Sequence, residues 1–248
     1  MSEETKKIDL GGYSLRARTL GEGERTFVLI HGFADGLDAW DAVAPALAKQ
    51  GRVVLLEQRG HGYSGGPAGP YQWDDLGKDV VAVLDDLGIH KATLVGHALG
   101  GLVALMTALQ APDRVERLVV LGTATEANAE QRNWCTEILK AGRMNALEGI
   151  AHSIFGPISR KSVEGTAGPM MELARRMETL EAEAITDRMK SVSCPTLVLV
   201  GENDPALSQS LADALPHGTL EKIAGQAHFP HKKEPATVVS AIEKFASE

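Results

Sequence analysis

Five short apolar runs constrain this chain more than any other feature. They are Thr26 to Ile30, Arg52 to Leu56, Ala92 to Val95, Val115 to Leu121 and Pro195 to Val200. Each is rich in β-branched or leucine residues and too short for a helix of ordinary length, the pattern of a strand covered on both faces. Amphipathic stretches separate them. Asp38 to Lys49 reads as a helix with Trp40, Val43 and Leu47 on its inner face, and Trp73 to Leu87 places Leu76, Val80, Val83 and Leu84 at helical spacing. Leu99 to Leu109, Ser208 to Leu215 and Glu234 to Phe245 are further helices, Tyr13 to Thr19 a strand near a sheet edge, and Thr219 to Ile223 another strand. The alternation predicts an α/β fold, a mainly parallel central sheet flanked by helices. Thr123 to Ser191 interrupts it with short amphipathic helices, of which Glu137 to Leu147 and Met170 to Arg188 are the clearest. The expected organisation is a core of 1–122 and 192–248 and a helical cap insertion of 123–191, lying over the carboxyl ends of the strands where open α/β sheets bind ligands.

Bulk properties narrow the function. The 248 residues suffice for one such domain with an insertion. A net charge of -8 argues against a nucleic-acid footprint, which needs a basic face. Cys135 and Cys194 have no metal or redox spacing and read as reduced thiols of a cytoplasmic protein. The charged start, Met1 to Lys7, leads into no apolar segment of the secretory type, and no run reaches membrane-spanning length. The expected partner is a small-molecule substrate, with no nucleic acid and no membrane. Monomer and homodimer both remain open.

The chemistry centres on Leu94-Val95-Gly96-His97-Ala98-Leu99-Gly100-Gly101. A buried strand enters a small-residue turn and leaves as a helix, with a glycine on each side of the central residue. This is the context of the G-x-S-x-G nucleophile elbow, and here the chain resembles the α/β-hydrolase superfamily from Phe27 to Phe245. His31-Gly32-Phe33 and Arg59-Gly60-His61-Gly62-Tyr63-Ser64 add to the resemblance. One departure stands out: Ala98 occupies the place of the nucleophilic serine.

The resemblance implies a catalytic set of position 98, Asp204 just past the strand Thr196 to Val200, and His228 in Gly225-Gln226-Ala227-His228 before the last helix. Asp204 would fix the tautomer of His228, and His228 would act as base and then acid. Asp204 also reads as a turn residue capping the following helix. His231 is the rival histidine, though Pro230 and Lys232-Lys233 suggest that it already turns outward. The oxyanion hole would be the backbone amides of Phe33 and Leu99. His31, His61 and His97 read as hydrogen-bonded structural residues, and the Arg59 loop as architectural. Trp134, Phe155, His152 and Phe229 are the candidate substrate contacts, with Ile154, Met170, Met171 and Met177 as further candidates for an apolar wall. Arg132, Arg143 and Arg160 could meet a substrate carboxylate. The sequence contains neither a metal cluster nor a dinucleotide or P-loop fingerprint, so no cofactor is expected.

Two histories fit Ala98. In one, the chain is a serine hydrolase for a small ester or lactone whose nucleophile has been replaced, which the otherwise intact site favours. In the other, alanine is native, and the chain is a small-molecule binder or a lyase or cofactor-free oxygenase using His228 and Asp204 alone. Gly69-Pro70-Tyr71-Gln72-Trp73-Asp74-Asp75-Leu76-Gly77-Lys78-Asp79-Val80 is similar to 3-oxoadipate enol-lactonases. Cleavage of a carbon–carbon bond in a diketone is a further activity that the same triad supports in this superfamily.

Overall fold

The computed structural model describes residues 2–67, 69–125, 129–143, 167–178, 182–204, 209–225 and 228–248. Its strands are β1 (Glu3–Asp9), β2 (Ser14–Leu20), β3 (Thr26–Ile30), β4 (Arg52–Glu57), β5 (Ala92–His97), β6 (Val115–Leu121), β7 (Thr196–Gly201) and β8 (Gly218–Ile223). They form one sheet in the order β1-β2-β4-β3-β5-β6-β7-β8. β1 and β2 pair antiparallel, β2 joins β4 antiparallel, and all remaining pairs are parallel. β5 lies centrally, with Val95 opposite Leu29 on one side and Val119 on the other.

Because successive side chains on a strand point to opposite faces, each apolar run feeds two cores. Val28, Ile30, Val54, Leu94 and Val120 pack against α2 (Trp73–Asp86) and α3 (Leu99–Gln110). Phe27, Leu29, Val53, Val95 and Val119 face the other way, toward Trp40, Leu47, and Ile242 and Phe245 of the last helix. A fully buried side chain of this size contributes about 1.5–3 kcal/mol relative to exposure. The two layers therefore hold the strand ends, and the loops that leave them, firmly in place.

Among the described residues, three helices lie between β6 and β7 in the chain: α4 (Ala129–Arg143), α5 (Ala167–Glu178) and α6 (Ala182–Met189). Their buried residues Ile138, Met170, Leu173, Ile185 and Met189 belong to the same apolar cluster as α2 and α3. The strand–helix alternation expected from the sequence is present, with three differences. β1 is an extra edge strand, exposed at every position but Ile8, so it carries no apolar alternation to betray it. The helix expected over Asp38 to Lys49 is a 3-10 turn, Leu37–Trp40, followed by the short α1 (Ala44–Leu47). Pro45 explains the break: its ring would clash with the carbonyl four residues back, and it has no N–H to continue a helix from Asp41. The helix expected over Met170 to Arg188 is divided between α5 and α6.

Candidate active site

The turn after β5 is sharp and strained. Ala98 has φ 48° and ψ −112°, a left-handed conformation uncommon outside glycine that costs on the order of 1–3 kcal/mol. The surroundings enforce it. The Ala98 N–H donates to the Leu121 carbonyl at 2.8 Å, and the Ala98 carbonyl accepts from the Leu102 N–H at 3.2 Å. A side chain at Gly96 would run into the Gly100 backbone, and one at Gly100 would strike the carbonyls of Ile30 and His31. The glycines therefore let β5, α3 and the end of β3 close on one another, which leaves position 98 at the sheet's carboxyl edge.

Asp204 sits in the turn after β7, closed by its own N–H donating to the Gly201 carbonyl at 2.9 Å. Its residue exposure is only 2%. The His228 Nδ1 lies 3.1 Å from Asp204 Oδ2 and 3.3 Å from Oδ1. The imidazole keeps 31% of its side-chain surface exposed. Pairing Nδ1–H with the acid leaves Nε2, on the opposite edge of the ring, without a hydrogen-bond partner among the described residues. His97, buried at the end of β5, donates from Nε2 to the His228 carbonyl at 2.8 Å, tying the histidine loop to the elbow strand.

Gly122, just past β6, lies against the Asp204–His228 pair, and the sequence reading passes over it. Its φ is +54°, and a Cβ there would lie 2.8 Å from Asp204 Oδ2 and 3.2 Å from His228 Nδ1. The acid–histidine pair rests directly on this backbone. The signal in the sequence is a single glycine ending an apolar strand, too common a feature to single out.

The segment after β3 passes over the elbow. A Cβ on Gly32 would stand 3.6 Å from the Ala98 Cβ and 2.8 Å from His97 Nδ1, so Phe33 follows within reach of position 98. Leu99 is the first residue of α3, where N–H groups have no acceptor within the helix. Two histidines brace this segment. His31 donates from Nδ1 to the Gly32 carbonyl at 2.7 Å and accepts from the Gln58 N–H at 3.1 Å. His61 donates from Nδ1 to the Arg59 carbonyl at 3.1 Å and accepts from the Ala34 N–H at 3.0 Å. Burial lowers their pKa values to about 4 and about 3, so both are neutral braces rather than bases.

His231 differs from its expected placement. It does not turn outward: it is 0% exposed, with its ring 4.7 Å from that of Trp40 and 4.3 Å from that of His97. Burial, with Lys232 and His228 nearby, lowers its pKa to about 3. The reason is Pro230, which begins α7 (Pro230–Lys233), a single turn that swings His231 beneath the loop. Lys232 leaves the same turn and pairs with Asp35 Oδ2 at 2.6 Å.

A narrow cavity opens above Ala98. The volume in which the centre of a water molecule can move is about 50 Å³. Its described walls are Gly32, Phe33, Asp35, His97, Ala98, Leu99, Leu102, Gly122, Ala124, Gln131, Trp134, Met177, His228 and Phe229. The expected contacts Phe33, Leu99, Trp134, His228 and Phe229 are therefore brought together, with the Trp134 and Phe33 rings 5.6 Å apart. Met170 instead lies in the apolar cluster beneath. Asp35, Leu102 and Gln131 are wall residues that the sequence did not reveal. His152, Ile154, Phe155 and Arg160 lie outside the described residues. Among the described residues no group of three or more His, Cys, Asp or Glu side chains could hold a metal ion, and no helix is long and apolar enough to cross a membrane.

The chain is similar in sequence and fold to known proteins. The chain is 27% identical over 247 residues to 3-oxoadipate enol-lactonase 2 of Acinetobacter baylyi, covering 93% of this chain and 92% of that protein. It is 30% identical over 244 residues to a Caulobacter segnis protein assigned the name carbamate hydrolase RutD, covering 90% and 91%. The crystal structure of the enol-lactonase from Burkholderia xenovorans LB400 superimposes with a TM-score of 0.87 at 21% identity, over 98% of this chain and all of that one. The model of the alpha/beta hydrolase fold family matches residues 25–149, half of the chain. With its sheet order, its strained turn after β5 and these matches, the chain belongs to the α/β-hydrolase family.

Proposed function

We propose that the site is that of a hydrolase for a small ester or lactone, working by acyl transfer, with position 98 as its nucleophile position and Ala98 leaving it without a nucleophile. The observation that carries this reading is the pair formed by buried Asp204 and half-buried His228, which opens on the same cavity as the strained Ala98. With serine at position 98, His228 Nε2 takes the hydroxyl proton as oxygen bonds to the substrate carbonyl carbon. The amides of Phe33 and Leu99 hold the resulting oxyanion. His228 then returns the proton to the departing alkoxide, and water repeats the sequence on the acyl group. Asp204 fixes the Nδ1–H tautomer and stabilises the imidazolium. A methyl group at position 98 stops this at binding. The lactonase named among the relatives supports the choice of an ester or lactone.

Residues 123–191 act in this reading as a cap whose Trp134 and Met177 close the cavity. The free, buried Cys135 and Cys194 suit a reducing cytoplasm. Ala98 itself favours a second reading, a native non-hydrolytic member using the His228–Asp204 pair alone. The test is Ala98→Ser, assayed on short-chain aryl esters, simple lactones and diketones. Hydrolysis should rise by on the order of 10³ or more over the Ala98 protein. A folded Ala98→Ser protein that cleaves none of them, beside an Ala98 protein that turns a small molecule over, gives the second reading.

A further inference from the structure

Asp35 is the one carboxylate among the described cavity walls, and no lysine or arginine appears with it there. It is 7% exposed. Oδ1 accepts the Gly36 N–H at 3.1 Å, and Oδ2 holds the Lys232 ammonium at 2.6 Å. Lys232 is not a wall residue; its ammonium lies 5.3 Å from the Phe229 ring and its side chain is 37% exposed. Of the two partners, Asp35 lines the cavity and Lys232 stands outside its walls, partly in solvent. Six of the other described walls, Phe33, Leu99, Leu102, Trp134, Met177 and Phe229, are apolar, while Gln131, His97 and His228 are polar without a fixed positive charge.

We infer that the cavity takes the uncharged, apolar part of a neutral ester or lactone, and that Asp35 is the residue that turns away substrates bearing a free carboxylate. This rests on the reading of the cavity as the substrate site. Two effects act together. An anion entering this mainly apolar space loses hydration and meets no lysine or arginine among the described walls, and the Asp35 carboxylate repels it at a lowered dielectric. A neutral acyl chain meets neither penalty.

The chain as it stands suits the experiment, because Ala98 blocks turnover by acyl transfer and leaves binding to be measured. Calorimetric titrations would compare an aliphatic γ-lactone with the same lactone carrying a carboxymethyl group, and ethyl butyrate with monoethyl succinate. The neutral member of each pair should bind about tenfold tighter or more. Asp35→Asn removes the repulsion and leaves Lys232 unpaired beside the cavity, so the gap should close or reverse. Lys232→Met should widen it. Thermal melts confirm that each variant is folded, and the comparison within the parent chain does not depend on either. Equal or tighter binding of the carboxylates by the parent chain overturns the inference. So does an unchanged gap in folded Asp35→Asn, or no saturable binding of either neutral ligand. Hydrolysis by Ala98→Ser is read separately, so the failure of one idea does not carry the other with it.

Discussion

Two loops at the carboxyl edge of the sheet each set a buried aspartate against a basic side chain, and they do different things. In the loop after β4, Arg59 grips Asp79 with Nε to Oδ2 at 2.6 Å and Nη2 to Oδ1 at 2.7 Å. The Tyr13 hydroxyl donates to Asp79 Oδ1 at 2.5 Å while accepting from Arg59 Nη2. The Tyr13 and Tyr71 rings lie 5.3 and 5.0 Å from the guanidinium. Burial, together with the neighbouring Asp79 carboxylate, raises the Tyr13 pKa, so the phenol keeps its proton. After β7 and β8, Asp204 is as deeply buried, but its partner is an imidazole that shows one edge to a cavity. A base locked on several sides by a carboxylate, a hydroxyl and two rings is architecture; a base with one edge left open can move a proton.

The largest difference should appear on removing the bases. In the Ala98→Ser background, His228→Ala should lower kcat by on the order of 10³ or more with the fold intact, because an unassisted serine is a weak nucleophile near neutral pH. Single-turnover kinetics with an aryl ester would check it. A loss under tenfold would place the proton acceptor elsewhere. The contrasting change, Asp79→Asn, weakens a buried ion pair and should cost about 3–5 kcal/mol of stability. Activity per folded molecule should hold steady, measured as kcat beside urea denaturation. A selective loss of kcat would dissolve the distinction between the two loops.

The same contrast shows what can be read from a sequence. The meeting of Asp204 and His228 is legible because they follow β7 and β8 in the family's chain order, and the turn at Ala98 because glycines flank it between a strand and a helix. His231 is not legible. A proline before a histidine and two lysines looks like an exit to solvent, yet Pro230 here starts a turn that buries His231 against Trp40 and points Lys232 at Asp35. Which way one helical turn faces depends on the side chains already occupying the space, and these come from the segments after β3 and β5. β1 escapes for the opposite reason: only Ile8 is buried, so its strand character lies in its pairing with β2 rather than in its pattern.

His231 and His228 give a comparison that pH sharpens. His231 is held neutral in the fold, with a pKa of about 3 against about 6.5 for an unfolded histidine. Between those values the unfolded chain binds a proton that the folded chain does not. The stability that neutral His231 retains is thus full above about pH 6.5 and is lost as the pH falls toward the folded value. His231→Leu should flatten stability against pH between about pH 6 and 4 by up to about 1.4 kcal/mol per unit. Urea melts at several pH values would show it. An unchanged slope would mean that His231 is protonated in the fold.

The smallest effect lies under the acid–histidine pair and tests whether its backbone support matters to chemistry. Gly122→Ala must adopt a φ of +54°, which costs an L-residue about 1–2 kcal/mol. Its methyl group would also press on Asp204 Oδ2 from 2.8 Å, with His228 Nδ1 at 3.2 Å, so the pair must shift by some tenths of an ångström. The matched control is Gly60→Ala in the Arg59 loop, at φ +75°, whose methyl group would meet Pro169 rather than Asp204 or His228. Both variants should lose comparable stability in thermal melts. In the Ala98→Ser background only Gly122→Ala should also lower kcat per folded molecule, because a displaced Asp204 no longer fixes the His228 tautomer that accepts the proton. If the two variants lose activity only in proportion to their unfolded fraction, Gly122 is a turn residue like any other, and the acid–histidine pair tolerates movement at its base.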